Sequence, residues 1–420
     1  MRKLLIAGGV FLALLVFLLP AAIFWLRSGP TAPAPAEDPI VRLNREHAGL
    51  EDNAADLYLA AFDALCGEEQ SSWYGKEGWQ RGEPVPEDAA KWVADNGEAI
   101  VRGIEAAQRR NCGFQLQRDA NGQPTFVEFR QTRTLTKLFK WRARVAAEQG
   151  DLETFAESVW MADRIGRHVS LCPWLIAQLV GLACNSVAQT EILQPYTWLN
   201  LSAEDRAAYY ERVSACYVPP PTLTAAYAFE EKWVAWELPA TLNNNPMRFL
   251  CPAERISGEL ARYHGPLCEL AEAPVERQAN PGDPLHQEIR RLESEGISIF
   301  NVPRMFAQMQ LPSEFRSIVL HVRMITTQRG NRTVAELFDI RDRTGALPDT
   351  LDELAGDFKI DPYTGMPFCY RLTDDGFTLY SAGVDRDDDC GQHHAKFGEG
   401  RDGTLDGDYV FWPLPAPESD

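Results

Sequence analysis

The sequence predicts a mainly α-helical protein. It should comprise an N-terminal transmembrane helix, an irregular helical domain, and a small α+β module in which one long helix packs on a short antiparallel sheet. Three observations carry that prediction. An uncharged stretch runs from Leu4 to Leu26, apolar residues then recur at helical spacing through much of residues 41–312, and apolar–polar alternation marks the C-terminal region.

The chain has 420 residues, with 41 Lys and Arg against 60 Asp and Glu, a formal net charge of −19. Such an acidic balance argues against nucleic acid, because no basic footprint exists to replace phosphate counterions. Its hydrophobic content of 45% excludes a disordered chain.

Residues 4–26 are numerous enough to cross a hydrocarbon core of ~30 Å, which takes about 20 residues. Arg2 and Lys3 precede them, and only Arg27 follows closely before Glu37 and Asp38. The positive-inside bias then places the N-terminus in the cytoplasm and exports the rest, giving a single-pass inner-membrane protein whose bulk is periplasmic or extracytoplasmic. A cleaved signal peptide is the alternative, although its apolar run usually spans only about 7–15 residues. Residues 28–40 read as a Pro/Ala-rich linker, and residues 414–420 as a disordered tail.

Nine cysteines suit an oxidising compartment, but their number is odd and no Cys-x-x-Cys pair occurs. Cys369 with Cys390, and Cys251 with Cys268, are spaced to allow bridges. Cys184 lies in an apolar run and reads as a small core residue.

Within the helical domain, Leu57, Tyr58, Ala61, Phe62 and Leu65 share one face. Asn121-Gly122 between Phe114/Leu116 and Phe126 signals a hairpin. Leu135, Leu138, Phe139, Val145 and Ala146 form a stripe that stops at Gly150-Asp151, and Leu152, Phe155, Val159 and Ala162 begin another. Glycine ends a helix and aspartate caps the next, so this is a helical hairpin, resembling one tetratricopeptide-like unit. Leu171 to Cys184 suggests a central buried helix, and Pro219-Pro220-Pro221 precedes a helix over Thr222–Leu238. Residues 243–296, rich in Pro, Gly and charge, read as irregular loops with short helices.

The C-terminal module, residues 313–413, opens on a helical stripe of Phe315, Ile318, Val319, Val322 and Ile325. The stripe resumes at Val334, Leu337 and Phe338, with Gly330-Asn331 as a weak point. Phe368, Tyr370 and Leu372 alternate, Asp374-Asp375-Gly376 turns the chain, and Phe377 and Leu379 alternate again. A last strand covers Tyr409 to Trp412.

Asp361-Pro362 with Gly365 and Pro367, then Tyr380-Ser381 with Gly383 and Asp385, then Asp406 and Asp408, follow the order found in one family. Over about Ser313 to Trp412 the chain resembles the C-terminal module of the major pseudopilin of type II secretion. It lacks that family's leader and Phe-Thr-Leu-Ile-Glu-like helix start. The resemblance implies a loop that binds one calcium ion through Asp385, Asp406 and Asp408, with main-chain carbonyls completing the shell.

Charge alone points the same way. Residues 384–408 carry Asp385, Asp387, Asp388, Asp389, Glu399, Asp402, Asp406 and Asp408 against Arg386, Lys396 and Arg401. Few apolar side chains are present to order the loop by burial, and gathered carboxylates repel unless water or a cation intervenes. Calcium accepts six to eight oxygens in irregular geometry, which suits Asp385, Asp387 and Asp389 as further candidates. Their spacing matches the start of an EF-hand, but Cys390 replaces the turn glycine and Lys396 the bidentate glutamate. A solvated acidic loop is the plainer alternative. Adjacent His393-His394 is poorly arranged for zinc.

No His-Glu-x-x-His, Walker or Gly-x-Ser-x-Gly motif occurs, and Gly398-x-Gly400-x-x-Gly403 lies in acidic surroundings that would repel a nucleotide pyrophosphate. Glu230, Glu231 and Glu237 are the best hydrolytic carboxylates, and His168 and His264 are isolated. The expected function is therefore a membrane-anchored binding or structural protein of the cell envelope, with a calcium-stabilised module and a protein partner for the helical domain. The alternative is an envelope hydrolase with structural calcium.

Overall fold

The computed structural model describes residues 31, 34–70, 73, 84–120, 124–125, 129–192, 201–241, 253–295, 302–374, 376–393 and 407–413. The first four helices are α1 (Pro39–Ala48), α2 (Ala55–Asp63), α3 (Glu87–Asp95) and α4 (Gly97–Ala107). Helix α1 begins inside the stretch read as a linker. Asp38 accepts from the Ile40 amide at 2.9 Å, and Pro39 occupies the first turn, where its missing N–H costs nothing.

A two-residue ladder follows, β1 (Gln117–Arg118) with β2 (Pro124–Thr125), on either side of the Asn121-Gly122 signal, which itself lies outside the described residues. Helices α5 (Phe129–Glu148) and α6 (Leu152–Val169) form the hairpin expected at Gly150-Asp151. Gly150 takes φ 72°, which glycine adopts without steric cost, and Asp151 accepts from the Thr154 amide at 3.0 Å. Leu135, Leu138, Phe139, Phe155 and Val159 are buried between them.

Helix α7 (Leu175–Ile192) starts beyond Pro173, leaving Leu171 exposed. The helix expected to be buried is buried on one side only, with Ile176, Ala183, Ser186 and Thr190 exposed, and its buried side carries polar partners. Asn185 donates to Asp163, Gln189 donates to the Cys216 carbonyl at 2.9 Å, and Glu191 receives both arms of Arg144. Helix α8 (Ala203–Val213) runs into a 3₁₀ turn, Ser214–Tyr217, and α9 (Thr224–Thr241) follows the triple proline.

The irregular loops expected over residues 243–296 are corrected by a 20-residue helix, α10 (Ala253–Glu272), the short α11 (Val275–Gln278) and α12 (Pro284–Ser294). Ile256, Leu260, Tyr263, Leu267 and Leu270 are all fully buried at helical spacing, and that burial outweighs the one backbone bond lost at Pro266.

Helix α13 (Val302–Thr344) is 43 residues long and runs through the boundary expected near residue 313. Its first half packs Phe315, Ile318, Val322 and Ile325 against α9, α10 and α12. Its second half buries Val334, Leu337 and Phe338 in a core shared with the N-terminal helices and the sheet. The weak point at Gly330-Asn331 is instead a packing site: Phe411 stands where a Cβ on Gly330 would be, and Asn331 Nδ2 donates to Gln189 at 3.0 Å.

The sheet is antiparallel in the order β3 (Cys369–Thr373), β4 (Gly376–Ser381), β5 (Tyr409–Trp412). Phe377, Leu379 and Phe411 are buried in the core that includes α13. Alternation turns Cys369, Arg371, Thr378 and Tyr380 to the opposite face.

Among the described residues no helix is long and apolar enough to cross a membrane. The predicted transmembrane segment, residues 4–26, lies outside them, as does the tail at residues 414–420. The expectation of a membrane-spanning helix, and the inner-membrane placement drawn from it, is corrected accordingly. Helix α7 turns Asn185, Gln189 and Glu191 to partners on neighbouring elements. What stands is a mainly helical chain with a small three-stranded antiparallel sheet.

Candidate metal centre

The acidic loop leaves β4 at Ser381, directly over the Asp361 turn. Asp361 is buried and accepts three hydrogen bonds, from the Tyr363 amide (3.0 Å), the Ser381 hydroxyl (2.9 Å) and the Ala382 amide (3.2 Å). Burial pushes its carboxyl up to about 6 despite those donors. The turn therefore fixes where the loop starts.

Gly383 then takes φ 70°, Arg386 φ 68° and Cys390 φ 60°. These bends gather Asp385, Asp387 and Asp389, whose carboxylate oxygens lie within 4.8 Å of one another. Cys390 adopts the left-handed conformation that a calcium loop of this spacing assigns to glycine at the same place. The side chains between the three aspartates do the anchoring. Arg386 donates to the Ala279 carbonyl at 3.2 Å, at the end of α11, and Asp388 accepts from the Tyr380 phenol at 2.7 Å and the Cys390 amide at 2.9 Å.

Asp408 enters from the other side, just before β5, and is completely buried. Its Oδ2 accepts from the Gly391 amide at 2.7 Å, and its own amide donates to the Gln392 carbonyl at 2.7 Å. Its Oδ1 is buried with no hydrogen-bond partner among the described residues. Burial, then the charges of Asp388 and Asp389, push this carboxyl up to about 6. The same negative field reaches Cys369, where burial followed by Asp388, Asp408 and Asp361 pushes the thiol up to about 11. Both the Gly407 carbonyl oxygen and Asp385 Oδ1 lie within 4 Å of the point a Gly383 Cβ would occupy.

This donor set fits calcium. Oxygens bound to one calcium at about 2.3–2.6 Å can be no more than about 5 Å apart, and the three aspartates meet that limit. All the donors are hard oxygens, and Asp408, whose Oδ1 has no hydrogen-bond partner among the described residues, lies within reach of the charges of Asp388 and Asp389. Bound there, a calcium ion would supply the charge that the loop lacks.

The structure thus brings together Asp385, Asp387 and Asp389 and places Asp408 next to Asp389's charge. Asp406, the remaining ligand implied by the resemblance, lies outside the described residues, as do Lys396, His394 and the Gly398–Gly403 string. His393 Nδ1 accepts from the Val410 amide at 3.2 Å, which occupies one of its two ring nitrogens. Cys369, Cys390 and Cys268 are free thiols, and Cys251 is not among the described residues.

The sequence alone assigns no anchoring role to Asp361, Arg386, Tyr380 or Asp388. Asp361-Pro362 and Tyr380-Ser381 are signals for the first and third, as parts of the motif order given above. Arg386 and Asp388 are ordinary loop residues whose anchoring appears only in the fold.

Two of the three hydrolytic candidates are tied to structural partners. Glu230 is buried and accepts from the Leu175 amide at 3.1 Å, closing the start of α7, while Glu237 pairs with Arg118 at 3.0 Å. Burial raises the Glu231 carboxyl. His168 sits 2.9 Å from the Tyr58 phenol, and His264 Nδ1 lies 3.3 Å from the Tyr227 carbonyl.

No family model matches the chain, and no curated protein or solved structure matches it either.

Proposed function

We propose that the C-terminal sheet is a calcium-stabilised module, and that the protein serves a binding or structural role rather than hydrolysis. Asp385, Asp387 and Asp389 hold the ion, with Asp408 neutralised beside it. The convergence of three carboxylates from one loop within 4.8 Å carries this reading. Mutual repulsion opposes that arrangement at neutral pH unless a cation enters. The order of long helix, Asp-Pro turn, hairpin, acidic loop and closing strand also supports likeness to the pseudopilin module, with the ligands drawn from the loop run more than from the segment before β5.

The test is thermal unfolding and calorimetric calcium titration of the full chain, first with chelator and then with calcium. Binding to the folded state alone adds about 2.7 kcal/mol at a hundredfold excess over the dissociation constant. Asp387→Asn, at an exposed position, should remove that gain while leaving the chelator-treated protein at least as stable, since one of three repelling charges is gone. Equal melting temperatures in both conditions, with no heat of binding, would sink the proposal.

A further inference from the structure

Arg329, on the long helix α13, joins the two segments that flank the start of the acidic loop. Its Nη1 donates to Glu276 Oε1 of α11 at 2.8 Å and to the Ile360 carbonyl at 3.0 Å. Ile360 immediately precedes Asp361, whose carboxylate takes the Ser381 hydroxyl and the Ala382 amide. Ser381 Oγ in turn accepts from the Gly383 amide at 3.1 Å. Three residues on, Arg386 returns to the end of α11 at the Ala279 carbonyl. These bonds close a ring: α13 to the Asp361 turn, the turn to the loop, the loop to α11, and α11 back to α13.

The ring closes on nearly filled space. Tyr363 and Val384 meet Gln278, Ala279 and Phe315 around a cavity of only about 20 Å³. Its α11 side is also fixed from outside. Gln278 Nε2 donates to the Ala271 and Ala273 carbonyls at 3.1 and 2.8 Å, and its own carbonyl lies 2.6 Å from His286 Nε2 of α12. Arg329 and Glu276 are both partly buried, so solvent screens their pair less than an exposed one.

We propose that Arg329 is a positioning residue for the acidic loop, acting through Glu276 of α11 on one side and the Asp361 turn on the other. A loop placed by the ring and an ion held by the loop are thermodynamically linked. Whatever loosens the ring weakens the ion, and the ion tightens the ring. The calcium half of this linkage rests on the metal centre proposed above, whereas the placement of the loop does not.

The experiment is amide hydrogen exchange of the full chain in chelator, followed by calorimetric calcium titration. The variants are Arg329→Met and Arg329→Lys, with Arg343→Met as the control on the same helix, where an exposed guanidinium pairs with Asp339. In chelator, Arg329→Met should speed exchange of the Ala382 and Gly383 amides about tenfold and leave the α5–α6 hairpin unchanged. Arg329→Lys should recover part of that protection, since a single nitrogen makes both contacts. Arg329→Met should bind calcium several-fold more weakly, and Arg343→Met as well as the unaltered chain. Calcium should slow exchange at Gln278 and Ala279 in the unaltered chain but not in Arg329→Met. Glu276→Gln should give a smaller change of the same sign, and it keeps the test decisive if Arg329→Met folds poorly.

Unchanged exchange at Ala382 and Gly383 overturns the proposal. So does a loss of protection spread evenly through the chain, which would make Arg329 a residue of general stability only. Faster exchange at those two amides, with no calcium bound by any form, would uphold the positioning role and remove the calcium reading.

Discussion

Tyr380 donates its phenol hydrogen to Asp388 Oδ1 at 2.7 Å, fastening the acidic loop to the outer face of β4. The tie has a consequence for its neighbours. With Arg386 fastened to Ala279 and Asp388 to Tyr380, Asp385, Asp387 and Asp389 are left to converge. Anchors and proposed ligands thus alternate along one short run, and the anchors offset part of the repulsion among the three carboxylates. Preorganisation of this kind raises affinity by removing ordering cost from the binding step.

Tyr380→Phe removes the anchor and keeps the ring. A hydrogen bond to a charged group contributes about 1.5–3 kcal/mol, part of which is felt in the bound state. Calcium affinity should fall roughly three- to tenfold, because a share of that energy is 1.4 kcal/mol per factor of ten. Calorimetric titration checks it; an affinity equal to that of the unaltered chain would mean that the loop needs no tie to β4.

Gly330→Ala tests how the sheet docks on α13. An added Cβ would lie 2.4 Å from Phe411 Cε1 and Cζ, atoms of a ring that is fully buried. Alanine gains about 1 kcal/mol of helix propensity over glycine. Overpacking costs about 1–3 kcal/mol and has no flexible side-chain end to absorb it. The net effect should be destabilising, seen as a lower urea midpoint at unchanged slope. A rise in the midpoint would show that Phe411 can move aside cheaply.

These two sites also mark where the sequence was readable and where it was not. The Gly150-Asp151 turn was legible because both its signals, a left-handed glycine and a capping aspartate, act within a few residues. The interruption expected at Gly330-Asn331 was not, since the partners that turn it into a contact, Phe411 and Gln189, are distant in sequence. Pro266 and the charged surroundings masked α10, whose burial depends on helices α9, α12 and α13. In the candidate site the spacing of Asp385, Asp387 and Asp389 was plain. The left-handed turn at Cys390 was not, because only glycine advertises that conformation. Asp361 needed Ser381, twenty residues on, before its part in positioning the loop could be read.

His168 predicts a pH dependence with a definite sign. The ring, on α6, is buried against α2, with Nδ1 2.9 Å from the Tyr58 phenol. Burial, then the charge of Arg164, lowers its pKa to about 4 from the usual 6.5. The unfolded chain therefore binds the proton first as pH falls. The stability that neutral His168 contributes is present above about pH 6.5 and is lost as pH drops toward 4. Asp163 and Asp361, both pushed up to about 6 by burial, run the other way: protonation on acidification relieves the cost of their buried charge. Acid unfolding of the whole chain mixes these opposing contributions, so the comparison must be made against a single variant. His168→Gln removes one titration and leaves the carboxyls in place. Urea unfolding at pH 7, 5.5 and 4 should show the unaltered chain losing about 3 kcal/mol relative to the variant across that range. Parallel pH profiles would mean that the buried ring takes up its proton as readily in the folded chain as in the unfolded one.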